Sequence, residues 1–199
     1  MSLAVINYAR AMGRWEPNAN GRLVRAALEL YVERGFEGTT VAEIAKRAGL
    51  SERTFFRHFA DKREVLFWGS AALQELLVRT IAEAPASTAP IVVIGMAIEA
   101  AGVQFQEGRE GARLRQTVIA ANAELQEREL IKLASLATAM DEALRQRGAR
   151  EPGASLSAQA GIAVLKIAFE GWVNGSDELD LPTMIRDLFE DLKDVSAGR

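Results

Sequence analysis

The chain has 199 residues and a formal charge of −3 at pH 7, from 24 Lys and Arg against 27 Asp and Glu, with one histidine and no cysteine. The missing cysteines exclude disulfides, thiolate metal sites and a cysteine nucleophile, and leave any metal chemistry to carboxylates. Apolar residues at 49% and charged residues at 26% exclude wholesale disorder and describe an ordinary globular protein.

The N-terminal sequence lacks an apolar stretch of signal-peptide length, and the longest mostly apolar run, APIVVIGMAI, is about half of what a spanning helix needs. A cytoplasmic protein without membrane contact is expected. Charge is unevenly spread: residues 1–70 carry 11 Lys and Arg against 8 Asp and Glu, and the remainder carries 13 against 19. A basic piece joined to an acidic one hints at nucleic-acid contact by the basic piece.

Helical periodicity dominates and alternation of β-branched with polar residues is nearly absent, so the expected fold class is all-α. Residues 1–20 read as a polar arm. Its Arg10 and Arg14 suit either a DNA minor groove or a solvated tail. The first helix, from GRLVRAALELYVERG, puts Leu23, Ala27, Leu30 and Tyr31 on one face and stops at Gly35. Thr40 and Glu43 form a T-x-x-E capping box for a second helix over 41–48, with Val41, Ile44, Ala45 and Ala48 inward and Gly49 as its stop. Ser51 caps a third helix, and Asp61 with Glu64 predicts a fourth from Lys62 to Glu83.

Further helices are expected from Pro90 to Gln106, over RLRQTVIAA, from Ala123 to Arg147, from Leu156 to Asn174 and from Pro182 to Val195. RGAREPGAS is expected to be a loop. No sequence repeat or low-complexity segment interrupts this pattern.

The third helix carries the most chemistry. At 100° per residue, with Glu52 at 0°, Phe55 and Phe59 fall at about 300° and 340°, while Arg53, Arg57, Thr54 and His58 fall at about 100°, 140°, 200° and 240°. Two turns of helix are not stable alone, so the Phe face must dock on the first two helices and leave a short cationic helix outward. Two short helices joined across AGLS match the helix-turn-helix pattern, whose second helix enters the DNA major groove. His58 has no cysteine to pair with and Ser51 is used as a cap, so no catalytic residue and no metal site is assigned.

Residues 21–68, and above all GFEGTTVAEIAKRAGLSERTFFRHFADKREVL, resemble the DNA-binding domain of the TetR family of transcriptional regulators. The resemblance implies an N-terminal three-helix DNA-binding domain (21–68) after the arm (1–20), then a helical ligand-binding and dimerisation domain (69–199). It implies a homodimer on palindromic double-stranded DNA, usually a repressor, released by a small-molecule effector, with no cofactor. By position, Thr40, His58 and Lys62 resemble phosphate contacts, and Ser51, Glu52, Arg53, Thr54 and Arg57 lie on the recognition helix. Arg53 is the best candidate for guanine O6 and N7. Phe56 replaces the tyrosine common in the family, losing a hydroxyl contact while keeping an apolar surface for a thymine methyl or a sugar.

In the second half, Met96, Gln104, Phe105, Gln116, Asn122, Phe169 and Trp172 are candidates to line a mostly apolar pocket. Arg109, Arg113 and Arg115 suit either an anionic ligand or a solvated helix face. Ala160, Val164, Ile167, Ile185, Leu188, Phe189 and Leu192 form the candidate dimer interface, two helices from each subunit making a four-helix contact. The alternative function is a helical ligand-binding or scaffold protein that no longer binds DNA.

Overall fold

The computed structural model describes residues 19–198, all helices and connecting turns with no strand among them. Arg10 and Arg14 lie outside the described residues. Nine α-helices are described: α1 (Ala19–Arg34), α2 (Val41–Arg47), α3 (Glu52–His58), α4 (Ser70–Glu83), α5 (Pro90–Gln106), α6 (Arg109–Ala120), α7 (Ala123–Gln146), α8 (Gly153–Asn174) and α9 (Leu181–Ser196). A 3-10 helix, Glu64–Phe67, stands between α3 and α4.

Start and stop chemistry places the first three helices. Gly35 takes φ +79° and its N–H donates to the Tyr31 carbonyl at 3.0 Å, closing α1. The capping box at Thr40 is complete: the Glu43 N–H donates to Thr40 Oγ1 at 3.3 Å, and the Thr40 N–H donates to Glu43 Oε2 at 2.9 Å. Gly49 at φ +66° makes the turn, and the Ser51 hydroxyl accepts the Thr54 N–H at 3.2 Å to start α3.

The expected fourth helix differs. Asp61 does act as a cap, its Oδ1 accepting the N–H groups of Arg63 at 2.8 Å and Glu64 at 3.2 Å, but what it starts is the 3-10 turn. Val65, Leu66 and Phe67 are consecutive and all buried, so the segment is a plug enclosed by core on several sides. Gly69 then separates it from α4, which starts at Ser70 rather than near Lys62. The expected loop RGAREPGAS is also shorter, because α8 begins at Gly153.

The residues form two compact units. The first takes the stretch up to Ser70 together with Glu107–Glu129, a segment expected from the sequence to lie in the second domain. The reason is a shared core: Val118, Ile119 and Leu125 pack with Leu23, Leu30, Tyr31, Ile44, Phe55 and Phe59. Burying one such large side chain is worth roughly 1.5–3 kcal/mol, so three are a substantial part of a small unit's stability. Polar ties reinforce them. Arg63 pairs with Glu124, Arg128 Nε donates to Glu64 at 2.7 Å, and Arg115 donates to the Leu66 carbonyl at 2.8 Å and to Glu129 at 3.0 Å while standing over the Phe67 ring.

The second unit takes Ala71–Gln106 and residues from Leu130 onward. Its centre is α5 packed on α8 and α9, which also pack on each other. Close approach depends on small residues. A Cβ at Gly161 would stand 2.4 Å from Ile94 Cγ2, and one at Gly102 would stand 2.6 Å from Ile185 Cδ1. Arg147 closes the end of α4 by donating to the carbonyls of Ala84 at 2.6 Å and Pro85 at 2.8 Å. By length and composition α8 is apolar enough to cross a membrane, unlike the shorter run singled out from the sequence; Trp172, Ala168, Leu165 and Ala158 on it are buried.

Candidate nucleic-acid interface

The surface of interest is α3, held by a buried face. Phe55 is fully buried and Phe59 nearly so, their ring centroids 5.6 Å apart, so the inward side of α3 is fixed in the first unit's core. Around the rest of the helix Ser51, Glu52, Arg53, Phe56, Arg57 and His58 are exposed, and Thr54 is half-buried with its hydroxyl 3.0 Å from that of Ser51. Arg57 Nη2 stands 3.4 Å from His58 Nε2, and the guanidinium, which has no lone pair to offer, is the donor. The helix therefore presents two guanidiniums, an imidazole, a carboxylate and one aromatic ring.

The turn before α3 is braced by Arg22, a residue that no sequence motif marks. Arg22 on α1 donates to the carbonyls of Ala48 and, at 3.2 Å, Gly49. Nothing in sequence spacing links position 22 to 48. On α2, Arg47 is spent on Glu33 at 2.9 Å and Glu29 at 3.3 Å, and holds the Glu33 carboxyl below the usual carboxylate range, whereas Lys46 is exposed.

Two expected phosphate contacts turn out to have internal partners. The Lys62 ammonium donates to the carbonyls of Phe36 at 2.8 Å and Thr39 at 3.0 Å and lies 4.3 Å from the Phe36 ring centroid. It pins the loop between α1 and α2. The neighbouring Tyr31 hydroxyl donates to the Lys62 carbonyl at 2.6 Å, and burial pushes its phenol well above the ordinary value. Thr40 is exposed, but its hydroxyl proton is directed to Glu43 Oε2 at 2.8 Å. The Thr40 N–H holds the Glu43 carboxyl below its usual range.

The candidate pocket residues divide between the units. Phe105, Phe169 and Trp172 meet as a row of rings with centroids 5.8 and 5.7 Å apart, and Met96 is exposed on α5. Gln104 is half-buried on α5 in the same unit. Gln116 and Asn122 belong to the first unit, where Asn122 Nδ2 donates to the Val118 carbonyl at 2.6 Å and finishes α6. Arg115 is committed to Leu66 and Glu129 rather than to a ligand.

The candidate interface residues divide by burial. Val164, Ile185 and Phe189 are buried inside the second unit and are core, with Ile185 and Phe189 against Gly102 and Gly95. Ile167 is exposed, and Ala160, Leu188 and Leu192 are partly exposed. The apolar stripe on α9 forms two faces rather than one, an inner one at 181, 185 and 189 and an outer one at 184, 188 and 192.

An outward cationic helix seated on phenylalanines after a glycine turn defines a helix-turn-helix DNA-binding unit. Residues 23–67 match the family described as bacterial regulatory proteins, tetR family. The HTH-type transcriptional regulator TcmR of Streptomyces glaucescens is 37% identical over 87 residues, 44% of this chain and 38% of TcmR. The chain thus spans under two fifths of TcmR's length in that match. Among solved structures, the fatty acid degradation regulator FadR of Bacillus halodurans superposes with a TM-score of 0.63 at 21% identity, covering 86% of this chain and 96% of that one. FadR of Bacillus subtilis, solved in complex with stearoyl-CoA, gives 0.60 at 20% identity with the same coverage. These likenesses show a shared fold.

Proposed function

We propose that the protein is a homodimeric, effector-responsive transcriptional repressor that binds a palindromic operator through α3 and is released by a small molecule in the second unit. The observation that carries the reading is the exposed Arg53–Arg57 face of α3 backed by fully buried Phe55. Arg53 is the base-reading residue, forking to guanine O6 and N7, while Arg57 and His58 contact the backbone. Lys62 and Thr40 act indirectly, by holding the loop and the start of α2 that α3 rests on.

The second copy covers the outer stripe of α8, Leu156, Ala160, Ala163 and Ile167, together with Leu188 and Leu192 of α9. Their exposed or half-exposed apolar surface supports this. The effector has a substantial apolar part: α5 buries Val93, Ile94, Ala97 and Ile98 yet still exposes Val92, Met96 and Val103. The stearoyl-CoA bound by the similarly folded Bacillus subtilis FadR makes acyl thioesters the first compounds to try.

The test is selection of the purified protein against random duplexes at near-physiological salt, then titration of the enriched sequence over a salt series. The expected result is a two-fold symmetric site bound at roughly 10⁻⁸ to 10⁻¹¹ M with affinity falling steeply as salt rises, and dissociated by a compound from an acyl series. A folded dimer that enriches no sequence, with or without such a compound, would move the reading to a scaffold.

A further inference from the structure

The two ends of α3 are held in different ways. Its C-terminal end is fixed by core, through buried Phe55 and Phe59. Its first turn, residues 51–54, buries no side chain: Ser51, Glu52 and Arg53 are exposed and Thr54 is half-buried. The direction of that turn follows from the backbone of Ala48, Gly49 and Leu50 just before it. There the Gly49 N–H donates to the Lys46 carbonyl at 3.0 Å and the Leu50 N–H to the Ala45 carbonyl at 2.8 Å, both bonds running back into α2. Ala48 is buried and Leu50 packs against the core, but apolar contact does not fix where a carbonyl points. Arg22 of α1 does so, by donating to the carbonyls of Ala48 and, at 3.2 Å, Gly49. A helix end leaves such carbonyls without intrahelical partners, and a cation there also meets the negative end of the α2 dipole. The fit is close. A Cβ at Gly49 would stand 2.8 Å from Arg22 Nη2, so a side chain at 49 would push the guanidinium off the carbonyls.

Resting on the proposed function, we propose that Arg22 is a positioning residue for operator recognition: by tying the Ala48 and Gly49 carbonyls to α1, it sets the direction in which the first turn of α3 presents Arg53 to base edges. Its role is indirect. An arginine fork discriminates guanine only while both of its hydrogen bonds keep their geometry, whereas attraction to phosphates depends on charge and tolerates a change of helix direction. Arg22 therefore contributes to sequence preference and has no share in the salt dependence of binding.

The experiment compares the unaltered full chain with Arg22→Met, Arg22→Lys and Gly49→Ala, on the selected operator and on random duplex, over a salt series. Arg22→Met should weaken operator binding about tenfold and leave random-duplex binding and the salt slope unchanged, so that the ratio of specific to non-specific affinity falls about tenfold. Arg22→Lys should recover most of that ratio, because an ammonium can serve two carbonyls, as Lys62 does at Phe36 and Thr39. Gly49→Ala should lower the same ratio, and adding Arg22→Met to it should lower it little further, since the first change already displaces the guanidinium. An unchanged ratio in Arg22→Met overturns the positioning role. A salt slope reduced by about one unit, with all duplexes weakened alike, also overturns it and makes Arg22 a phosphate contact. If Arg22→Met does not fold, Gly49→Ala decides in its place, and an unchanged ratio there overturns the role. An unaltered, folded dimer that enriches no operator overturns the proposed function itself, a failure told apart because it involves no variant.

Discussion

Arg53 and Lys62 are both cations beside the helix-turn-helix, but Arg53 is exposed while the Lys62 ammonium is bonded to two carbonyls. Arg53 is exposed on α3, so Arg53→Ala should relax preference at one base pair per half-site by about 1–3 kcal/mol without lowering the melting temperature. Competition between matched and mismatched duplexes checks this. Lys62 is tied to two carbonyls, so Lys62→Met should cost about 2 kcal/mol of stability, a few degrees of melting temperature, and leave the salt slope of DNA binding unchanged. A slope reduced by about one unit would restore the phosphate contact. The two residues also mark how far sequence reaches. Thr40, Ser51 and their partners were legible because a cap closes over three residues. The carbonyls that Lys62 serves lie 26 and 23 positions away, and no local spacing points to them.

Among the elements, the helices starting at Val41, Glu52, Pro90 and Ala123 begin where the sequence signals put them, whereas those at Ser70, Arg109 and Gly153 do not. Thr40→Val removes the hydroxyl of a complete capping box and should cost about 1 kcal/mol, seen as a lower unfolding midpoint, while α3 keeps its own cap at Ser51. The fourth helix starts later than expected because Asp61 looks the same in sequence whether it caps an α-helix or a 3-10 turn; the difference comes from the burial of Val65, Leu66 and Phe67. The apolar stripe of α9 divides for a related reason. A wheel gives the apolar arc, but burial against α5 decides which part of it is core. Gly161 shows such packing from the other side: Gly161→Ala should overpack Ile94 and cost about 1–3 kcal/mol, readable as a lower melting temperature.

Over the whole molecule, acid and assembly are the two accessible probes. Glu43 is held below its ordinary pKa of 4.5 by the Thr40 backbone and side chain, and Asp61 below 3.8 chiefly by the Arg63 side chain. Carboxylates with depressed folded-state pKa stabilise the fold fully above their ordinary values and lose that contribution as pH falls through the folded ones. The unfolding midpoint should therefore drop as pH is taken below about 4.5, and in Glu43→Gln it should be lower at pH 7 and respond less to acid. Sedimentation of Ile167→Glu combined with Leu188→Glu should give a folded monomer that has lost operator affinity. The DNA-binding unit was legible as a contiguous stretch because its motif is contiguous, whereas its core is not: Val118, Ile119 and Leu125 enter from Glu107–Glu129. That has a consequence for how such proteins can exchange parts. A recombinant joined once, near Ser70, would pair this helix-turn-helix with another protein's versions of those three core residues and of the acids facing Arg63 and Arg115. A working chimaera needs two further joins so that residues 107–129 travel with their own N-terminal half, and the same stretch must leave the ribosome before the DNA-binding unit can finish folding.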